Sequence, residues 1–323
     1  MSKPRPSPEI APPRRSQQAA GLSLIESGGF ADYRLIDSGN RRKLERFGQI
    51  IVDRPEPQAL WRPRADESVW AGAHAVFSAT DDEESGRWRA LKPVPESWPI
   101  RLEDAVTLTC RLSAFRHLGI FPEQLPHWRW MLEVLKQRSS AERPRVLNLF
   151  AYTGAATLLA AHAGAEVTHV DASKKAITWA RENQSASRLN DAPVRWMLED
   201  ARKFVQREVR RGKQYDVILV DPPKFGRGPN NETWDLFTDL PDMLRNCAAL
   251  VAGSRSAIIL TAYAIRASAL MLDQLCREAL ADKGGHFESG ELAIREEADH
   301  GKGGARAVPT SLFTRWCGDD LKI

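Results

Sequence analysis

Cysteine is scarce in this sequence. The chain has 323 residues and only four cysteines, Cys110, Cys247, Cys276 and Cys317. They lie far apart and form neither a CxxC pair nor a cluster with histidine, which disfavours both a disulfide framework and a structural zinc site. Buried thiols in a reducing compartment explain them better. We therefore expect no metal site and a cytoplasmic location.

Long apolar runs are lacking as well. No stretch approaches the ~20 residues that a membrane-spanning helix needs, so we expect no membrane partner. Residues 1–20 are rich in proline and arginine and have no apolar centre of the kind that a secretory signal requires. Because such a segment buries too little apolar surface to offset the entropy of ordering, we predict a disordered arm over residues 1–25.

Positively charged residues outnumber negatively charged ones only slightly. The sequence has 46 Lys and Arg against 42 Asp and Glu, which gives a net charge of +4. That balance is compatible with a nucleic-acid partner and does not demonstrate one. One local basic cluster is formed by Arg41, Arg42, Lys43 and Arg46. It would suit phosphate contacts or a solvated strand edge about equally well.

Residues 26–115 are predicted to form a small β-rich domain, because short strand-like runs alternate there with turns broken by proline. The runs are Tyr33–Asp37, Gln49–Val52, Trp88–Leu91 and Thr107–Leu112. The same stretch contains Trp61, Trp70, Trp88 and Trp98. Aromatic side chains could stack on bases, but at this density they more often fill a small β core, and we favour that interpretation.

From Pro144 onward, buried strands alternate with helices. The predicted strands are Arg145–Phe150, Val167–Val170, Val194–Leu198, Tyr215–Val220, Ser256–Thr261, His286–Ile294 and Thr310–Trp316. The predicted helices are Thr153–His162, Ser173–Ser187, Ala201–Arg211, Glu232–Val251 and Arg266–Asp282. This alternation predicts an α/β fold with a doubly wound parallel sheet, whose ligands bind at the carboxyl ends of the strands. The second predicted domain spans residues 116–323.

The first strand-to-helix turn reads NLFAYTGAAT, from Asn148 to Thr157. Gly154 lets the backbone pass close to a ligand, and Thr153 is placed to cap a helix whose N-terminus attracts a carboxylate. The turn is not a GxGxxG fingerprint, so a dinucleotide is less favoured than a smaller nucleoside-bearing cofactor. A plain tight turn explains this segment equally well.

Two aspartates end the next two strands. Asp171, in HVDAS, is placed to accept both hydroxyl protons of a ribose, and the first turn favours that role over a helix cap. Asp200, in LEDARK, matches it as a candidate for the adenine amine. An N-cap role competes strongly for Asp200, since one aspartate looks the same in either position.

The strongest signal is DPPKF, directly after the fourth strand of the predicted sheet. Pro222 and Pro223 hold the chain rigid and supply carbonyls without competing amide donors. With Asp221 they can present acceptors to a planar amine, while Phe225 stacks on its ring. A rigid linker is the alternative, which we disfavour because the turn falls where this fold places substrates.

The segments NLFAYTGAAT, HVDASKKAITWARENQ, LEDARKF and DPPKFGRG, in this order and spacing, resemble the class I S-adenosylmethionine methyltransferases. The nearest relatives by this resemblance modify 23S ribosomal RNA at cytosine C5 or guanine N7. It covers about residues 115–265 and implies a Rossmann-like, seven-stranded methyltransferase sheet, S-adenosylmethionine as cofactor and RNA, with ribosomal RNA favoured, as partner. Gly119–Gln124 also resembles the GxFxDQR segment that lines the cofactor pocket of those relatives.

The resemblance assigns roles residue by residue. The residues implied to bind the cofactor are Phe121, Glu123, Gln124, Asn148, Phe150, Ala151, Thr153, Gly154, Asp171, Asp200 and Asp221. The residues implied to face the methyl group and the substrate are Asp221, Pro222 and Pro223, and Phe225 joins them as the predicted stacking residue. The chain departs from the family pattern at His127 and Trp128, which replace basic residues, and before residue 115, where no familiar RNA-binding module is found.

One departure concerns the reaction itself. Carbon-methylating relatives carry a nucleophilic cysteine just after the fifth strand, because cytosine C5 is inert until a thiolate adds at C6. Here Ala264 stands roughly at that position. We therefore expect methylation of a base nitrogen in RNA. Methylation of a protein side chain through the same DPPKF turn, or an inactive cofactor-binding or RNA-binding module, are the alternatives.

Overall fold

The computed structural model describes residues 21–79, 86–138, 143–263, 265–297 and 304–323. Residues 1–20 of the predicted arm, and Ala264, lie outside these ranges. The strands are β1 (Ser23–Ser27), β2 (Tyr33–Gly39), β3 (Arg42–Phe47), β4 (Ile50–Pro55), β5 (Ala75–Ala79), β6 (Gly86–Ala90), β7 (Trp98–Leu102), β8 (Val106–Cys110), β9 (Arg145–Leu149), β10 (Glu166–Asp171), β11 (Val194–Leu198), β12 (Val217–Val220), β13 (Phe225–Arg227), β14 (Thr233–Asp235), β15 (Ala257–Tyr263), β16 (His286–Arg295) and β17 (Ala307–Cys317).

The helices are α1 (Glu67–Trp70), α2 (Leu125–Lys136), α3 (Ala155–His162), α4 (Lys174–Ala186), α5 (Ala201–Arg210), α6 (Leu236–Ala249) and α7 (Ala269–Ala279), with a 3-10 turn at Pro122–Gln124 before α2. Ser173 caps α4 as expected, since its hydroxyl accepts the Ala176 N–H at 3.2 Å. The predicted helix from Glu232 is wrong at its start, because Thr233–Asp235 pairs with Phe225–Arg227 as a short hairpin. None of the helices in the described ranges is long and apolar enough to span a membrane.

The large sheet has the order β1-β16-β17-β15-β12-β9-β10-β11. Strands β15, β12, β9, β10 and β11 are parallel, and β17 is antiparallel to both of its neighbours. The chain leaves β9 to one side for β10 and β11 and returns to the other side for β12 and β15. This reversal places a topological switch point between β9 and β12, where open α/β sheets bind their ligands at the carboxyl ends of the strands.

The sheet has one strand more than the predicted seven. The addition is β1, which pairs in parallel with the outer edge of β16. The predicted disordered arm therefore ends earlier than residue 25, because Ser23–Ile25 is held by sheet hydrogen bonds. Sequence alone hides this strand, since only one of its five residues is buried and it shows no apolar run.

After β1, the region up to residue 110 contains a five-stranded sheet, β2 to β6, and the hairpin β7–β8. Its tryptophans are tied to the protein itself: the indole N–H groups of Trp61, Trp70 and Trp98 donate to Ser38, Asp37 and Phe47. This agrees with packing rather than base stacking. One hydrophobic core extends from these strands across residue 115 into the large sheet and α3, so the predicted boundary at residue 115 divides a shared core.

In the basic cluster after Gly39, Lys43 is buried and Arg42 half-buried, each in an ion pair, whereas Arg41 is exposed. Glu45, fully buried on β3, accepts from Arg54 at 2.5 and 2.9 Å and from the Tyr33 hydroxyl at 2.7 Å. Lys43 lies 3.0 Å from Glu56. Burial raises the pKa of Glu45, but the charges of Arg54 and Lys43 outweigh it and hold that pKa at about 2. Lys43 is therefore neither a phosphate contact nor part of a solvated strand edge.

This network predicts a stability effect. Glu45→Gln keeps the size of the side chain but leaves Arg54 without its countercharge, so we expect a loss of about 2 kcal/mol in the free energy of unfolding at pH 7. The pKa of Glu45 is lowered in the folded state, so its contribution is present above about pH 4.5 and is lost as pH falls toward 2. Urea unfolding at pH 7 measures the effect. Glu166→Gln, which changes an exposed carboxylate, is the control, and equal stabilities of the two variants would contradict this prediction.

Candidate active site

A cavity of about 370 Å³ opens at the carboxyl ends of β9, β10 and β12, and a narrower extension of about 60 Å³ runs inward beside α3. All but one of the predicted site residues line it: Phe121, Glu123, Gln124, Asn148, Phe150, Ala151, Thr153, Gly154, Asp171, Asp200, Asp221, Pro222 and Pro223. The exception is Phe225. The topology thus brings together segments that are up to about a hundred residues apart in the sequence.

The turn after β9 is shaped by three residues with positive φ: Phe150, Tyr152 and Gly154, at 55°, 49° and 86°. Gly154 is the N-cap of α3, and a Cβ there would lie 3.2 Å from the Ala180 methyl group. This conformation leaves the first-turn N–H groups of α3 beside the inner cavity, where they favour a carboxylate.

Two polar side chains of this turn are used within the protein. We expected Thr153 to cap α3, and this is wrong: no side chain caps the helix, and the Thr153 hydroxyl donates to the Gly119 carbonyl at 2.5 Å. The Asn148 amide donates to the Thr157 hydroxyl at 2.9 Å. Both residues therefore shape the wall of the cavity, and the Thr153 bond ties Gly119, and with it the segment before α2, to the turn.

The Asp171 carboxylate is fixed by two backbone N–H groups. One oxygen accepts from Tyr152 at 2.8 Å and the other from Ser173 at 2.7 Å. Burial raises the pKa of Asp171, and these two hydrogen bonds oppose that rise. Since Ser173 caps α4, Asp171 is not needed as a helix cap, and its carboxylate is held in place beside the cavity.

Asp200 does serve as a helix cap. Its Oδ1 accepts the Lys203 N–H at 3.0 Å at the start of α5, which is the alternative that the sequence had left open. Asp200 also lines the cavity. Because Oδ1 accepts the hydrogen bond of the cap, Oδ2 is the oxygen of Asp200 that could accept a hydrogen bond from an amine of a ligand.

Asp221 directly follows β12, at the carboxyl end of the strand, and lines both the cavity and its inner extension. The Gln124 amide donates to its Oδ2 at 3.2 Å, and the Thr261 hydroxyl donates to the other end of that amide at 3.3 Å. Burial, followed by the charge of Glu123, raises the pKa of Asp221 to about 7. Burial also raises the pKa of Glu123. Both carboxyl groups therefore hold their protons more tightly than a free carboxyl group does.

Phe225 departs from its predicted place. Its ring is 61% exposed and does not line the cavity. It lies on the β13–β14 hairpin, with the Lys224 ammonium 5.1 Å from the ring centroid. The hairpin is anchored instead by Trp234, whose indole N–H donates to the Pro223 carbonyl at 2.7 Å. Successive side chains along a β-strand point to opposite faces of the hairpin, and Phe225 falls on the face that is turned outward.

Sequence reasoning missed an aromatic wall. His117, to which no chemistry was assigned, lies 4.5 Å from Phe121 and 5.9 Å from Tyr263 between ring centroids. Burial, and then the charges of Arg54 and Arg116, hold the pKa of His117 well below its usual range, so the imidazole is neutral at pH 7. Tyr263 could have been found from its place at the end of the fifth strand of the parallel set, because that end shares an edge with Asp221.

Comparison with known proteins finds similar chains. A family model described as "Conserved hypothetical protein 95" matches residues 130–256. The crystal structure of an S-adenosylmethionine-dependent methyltransferase from Agrobacterium tumefaciens superposes with a TM-score of 0.86 at 50% identity, covering 91% of this chain and 93% of that one.

Curated relatives match over part of their length. Ribosomal RNA large subunit methyltransferase I of Shewanella frigidimarina is 44% identical over 224 residues, which is 64% of this chain and 55% of that protein. Ribosomal RNA large subunit methyltransferase K/L of Syntrophotalea carbinolica is 32% identical over 169 residues, or 52% of this chain and 22% of that protein. The chain thus spans about half of the first relative and about a fifth of the second.

Proposed function

This chain belongs to the class I S-adenosylmethionine-dependent methyltransferases, and from that premise we propose that it methylates a nitrogen of an RNA base. One observation carries the proposal. A single cavity has groups suited to the cofactor on one side, at Asp171 and the start of α3, and the acceptor turn Asp221–Pro223 on the other. We favour ribosomal RNA as the substrate and the cytoplasm as the location.

The residues present fit S-adenosylmethionine. The open N–H groups at the start of α3 suit its carboxylate, and the fixed Asp171 carboxylate suits the two ribose hydroxyls. The free oxygen of Asp200 suits the adenine amine. When bound, the cofactor supplies an electrophilic methyl group on a sulfonium and its own leaving group.

The protein's part in the transfer is to position the acceptor. Asp221, when ionised, can accept a hydrogen bond from an exocyclic amine, and the carbonyls of the proline turn can accept a second one. That arrangement orients the nitrogen lone pair. Because the pKa of Asp221 is about 7, its carboxylate can also take up the proton that the amine loses. A ring nitrogen such as guanine N7 would need the positioning alone.

The RNA substrate is inferred from two relatives that are named for ribosomal RNA and from the basic groups at the cavity mouth, where Lys224 and Arg227 contribute to the lining. Cations beside a target base suit the flanking phosphates.

The most direct experiment incubates the protein with radiolabelled S-adenosylmethionine and an extract from cells that lack the protein. We expect label in RNA, at a base nitrogen, and the transfer should be sensitive to salt. Label in protein would favour the alternative of a protein methyltransferase, and no transfer would favour an inactive binding module.

The cysteines lead to a prediction about the reaction. All four are buried, none lines the cavity, and burial raises the pKa of Cys247 and Cys276 to about 12 and that of Cys110 further. Because C5 methylation of cytosine needs a thiolate within reach of C6, we expect a variant with all four cysteines changed to alanine or serine to retain methyl transfer, provided that it folds. Incorporation of label into RNA measures this.

Cys110 is the thiol to check singly, because it precedes the segment that enters the pocket at Phe121. Loss of activity in Cys110→Ala, together with a trapped adduct between the unchanged protein and RNA containing 5-fluorocytosine, would overturn the prediction. Circular dichroism and the unfolding temperature of each variant separate a chemical loss from a failure to fold.

A further inference from the structure

A second cavity lies on the far side of Tyr263 from the candidate active site. It has a volume of about 510 Å³, and Tyr263 lines both cavities. Its walls come from several parts of the chain that are distant in sequence, among them the loop after β4, with Glu56, and the start of β17, with Ser311. If a nucleic-acid base enters the first cavity, the adjoining part of the strand therefore lies close to the second cavity, because the Tyr263 side chain borders both.

Arg116, which lines the second cavity beside Tyr263, has unused hydrogen-bonding capacity. It is 5% exposed, and one end of its guanidinium donates to the Tyr263 hydroxyl at 3.0 Å. Its Nε and Nη1 groups are buried and have no partner among the described residues. Buried donors are almost always satisfied, so two on one charged group call for an acceptor that enters from outside the chain. The Ser311 hydroxyl, on the same cavity, is also buried without a partner in the described ranges.

The charges around the cavity select the ligand. Arg41 and Arg266 line it, both are exposed, and no side-chain partner is found for either in the described part of the chain. Of the two carboxylates in the lining, Glu56 is already paired with Lys43 at 3.0 Å, which leaves Glu291. Three arginines against one unpaired carboxylate favour an anion, and the planar guanidinium suits a phosphate in particular.

We propose that this cavity binds the phosphate next to the target nucleotide, with Arg116 at its base and Arg41 and Arg266 at its mouth. The proposal rests on the RNA substrate proposed above and deepens it. Tyr263, tied to Arg116 by its hydroxyl, then couples the two cavities, because a phosphate drawn to Arg116 fixes the position of the attached base beside the aromatic wall. Arg116, Arg41 and Arg266 act as positioning residues and take no part in the methyl transfer.

The test uses the whole protein, labelled S-adenosylmethionine and deproteinised ribosomal RNA from cells that lack the protein. Arg41→Gln/Arg266→Gln changes only exposed side chains, so folding should be retained. We expect the KM for RNA to rise about tenfold or more, kcat to stay within about twofold, and the salt dependence of binding to a single-stranded RNA to become shallower by about 0.7 in slope for each lost phosphate contact. Arg210→Gln, an exposed arginine at the far end of α5, is the matched control and should change neither quantity.

Arg116→Gln and Arg116→Lys test the buried cation. The glutamine variant should raise the KM for RNA further, and the lysine variant, which keeps the charge, should recover part of the loss. Methylation of RNA with KM and salt slope unchanged in the double variant would overturn the phosphate site and leave the proposed function standing. An equal change in Arg210→Gln would also overturn it, because general surface charge would then be the cause. If the unchanged protein transfers methyl groups to protein and not to RNA, the proposed function fails and the phosphate site fails with it.

Discussion

Asp171→Ala is expected to weaken the binding of S-adenosylmethionine by about 2–4 kcal/mol, or roughly 30-fold to 1000-fold. Two charge-assisted hydrogen bonds to the ribose would be lost. The structure adds a second cause, because the same carboxylate holds the Tyr152 and Ser173 N–H groups and thereby fixes the turns on both sides of the cavity. Isothermal calorimetry on the purified protein measures the change.

The control for this prediction is Asp191→Ala, which removes an exposed carboxylate just before β11, at the amino end of that strand and not at the carboxyl ends where the cavity opens. It should leave the affinity for the cofactor unchanged. Asp171→Asn separates the two causes, since an amide retains one acceptor for a backbone N–H but removes the charge. Unchanged affinity in a folded Asp171→Ala variant would refute the assignment of Asp171 to the cofactor.

The parallel part of the sheet was predictable from sequence because its strands are short, mainly apolar runs between turn signals. Val194–Leu198 was predicted to the residue, and Asp171 and Asp221 were placed at strand ends that do meet in one cavity. These are local signals, since strand, turn and helix cap are encoded within a few residues of each other. The fold class follows from their order along the chain.

Long-range effects were not predictable in this way. The strand β1 is specified by its partner β16, and the burial of Lys43 depends on Glu56, which follows the neighbouring strand β4. A run of basic residues looks the same whether it faces solvent or an internal carboxylate. Phe225 was misplaced for a related reason: the pairing with β14, which turns its ring outward, depends on residues eight to ten positions away.

The largest expected effect belongs to Asp221→Asn, for which we predict a fall in kcat of about 100-fold to 10,000-fold with little change in cofactor affinity. The amide keeps the shape of the side chain and an acceptor for Gln124, but it cannot take up a proton. In the unchanged protein, kcat should rise with pH through about 7 and then level off, because the ionised form of Asp221 is the one that accepts the amine. The variant should lack this rise.

Phe225→Ala and Asp191→Asn are the comparisons for kcat. The exposed position of Phe225 predicts a smaller loss than that of Asp221→Asn, and Asp191→Asn should show none. Equal losses of kcat and cofactor affinity in Asp221→Asn would mean that the turn serves the cofactor alone. A rate independent of pH in the unchanged protein would contradict the role of the carboxylate or indicate a ring nitrogen as the acceptor.

Stability gives an independent measurement of the same group. The pKa of Asp221 is raised in the folded state, from 3.8 to about 7, so the folded protein binds this proton more tightly than the unfolded chain does. Stability contributed by the neutral carboxyl is therefore present below about pH 4 and is lost as pH rises toward 7. Asp221→Asn removes that loss, so its Tm relative to the unchanged protein should increase from pH 5 to pH 8. A variant that gains stability at pH 8 while losing turnover would show that the ionisable carboxyl is kept at this buried position for its chemistry, at a cost to the fold.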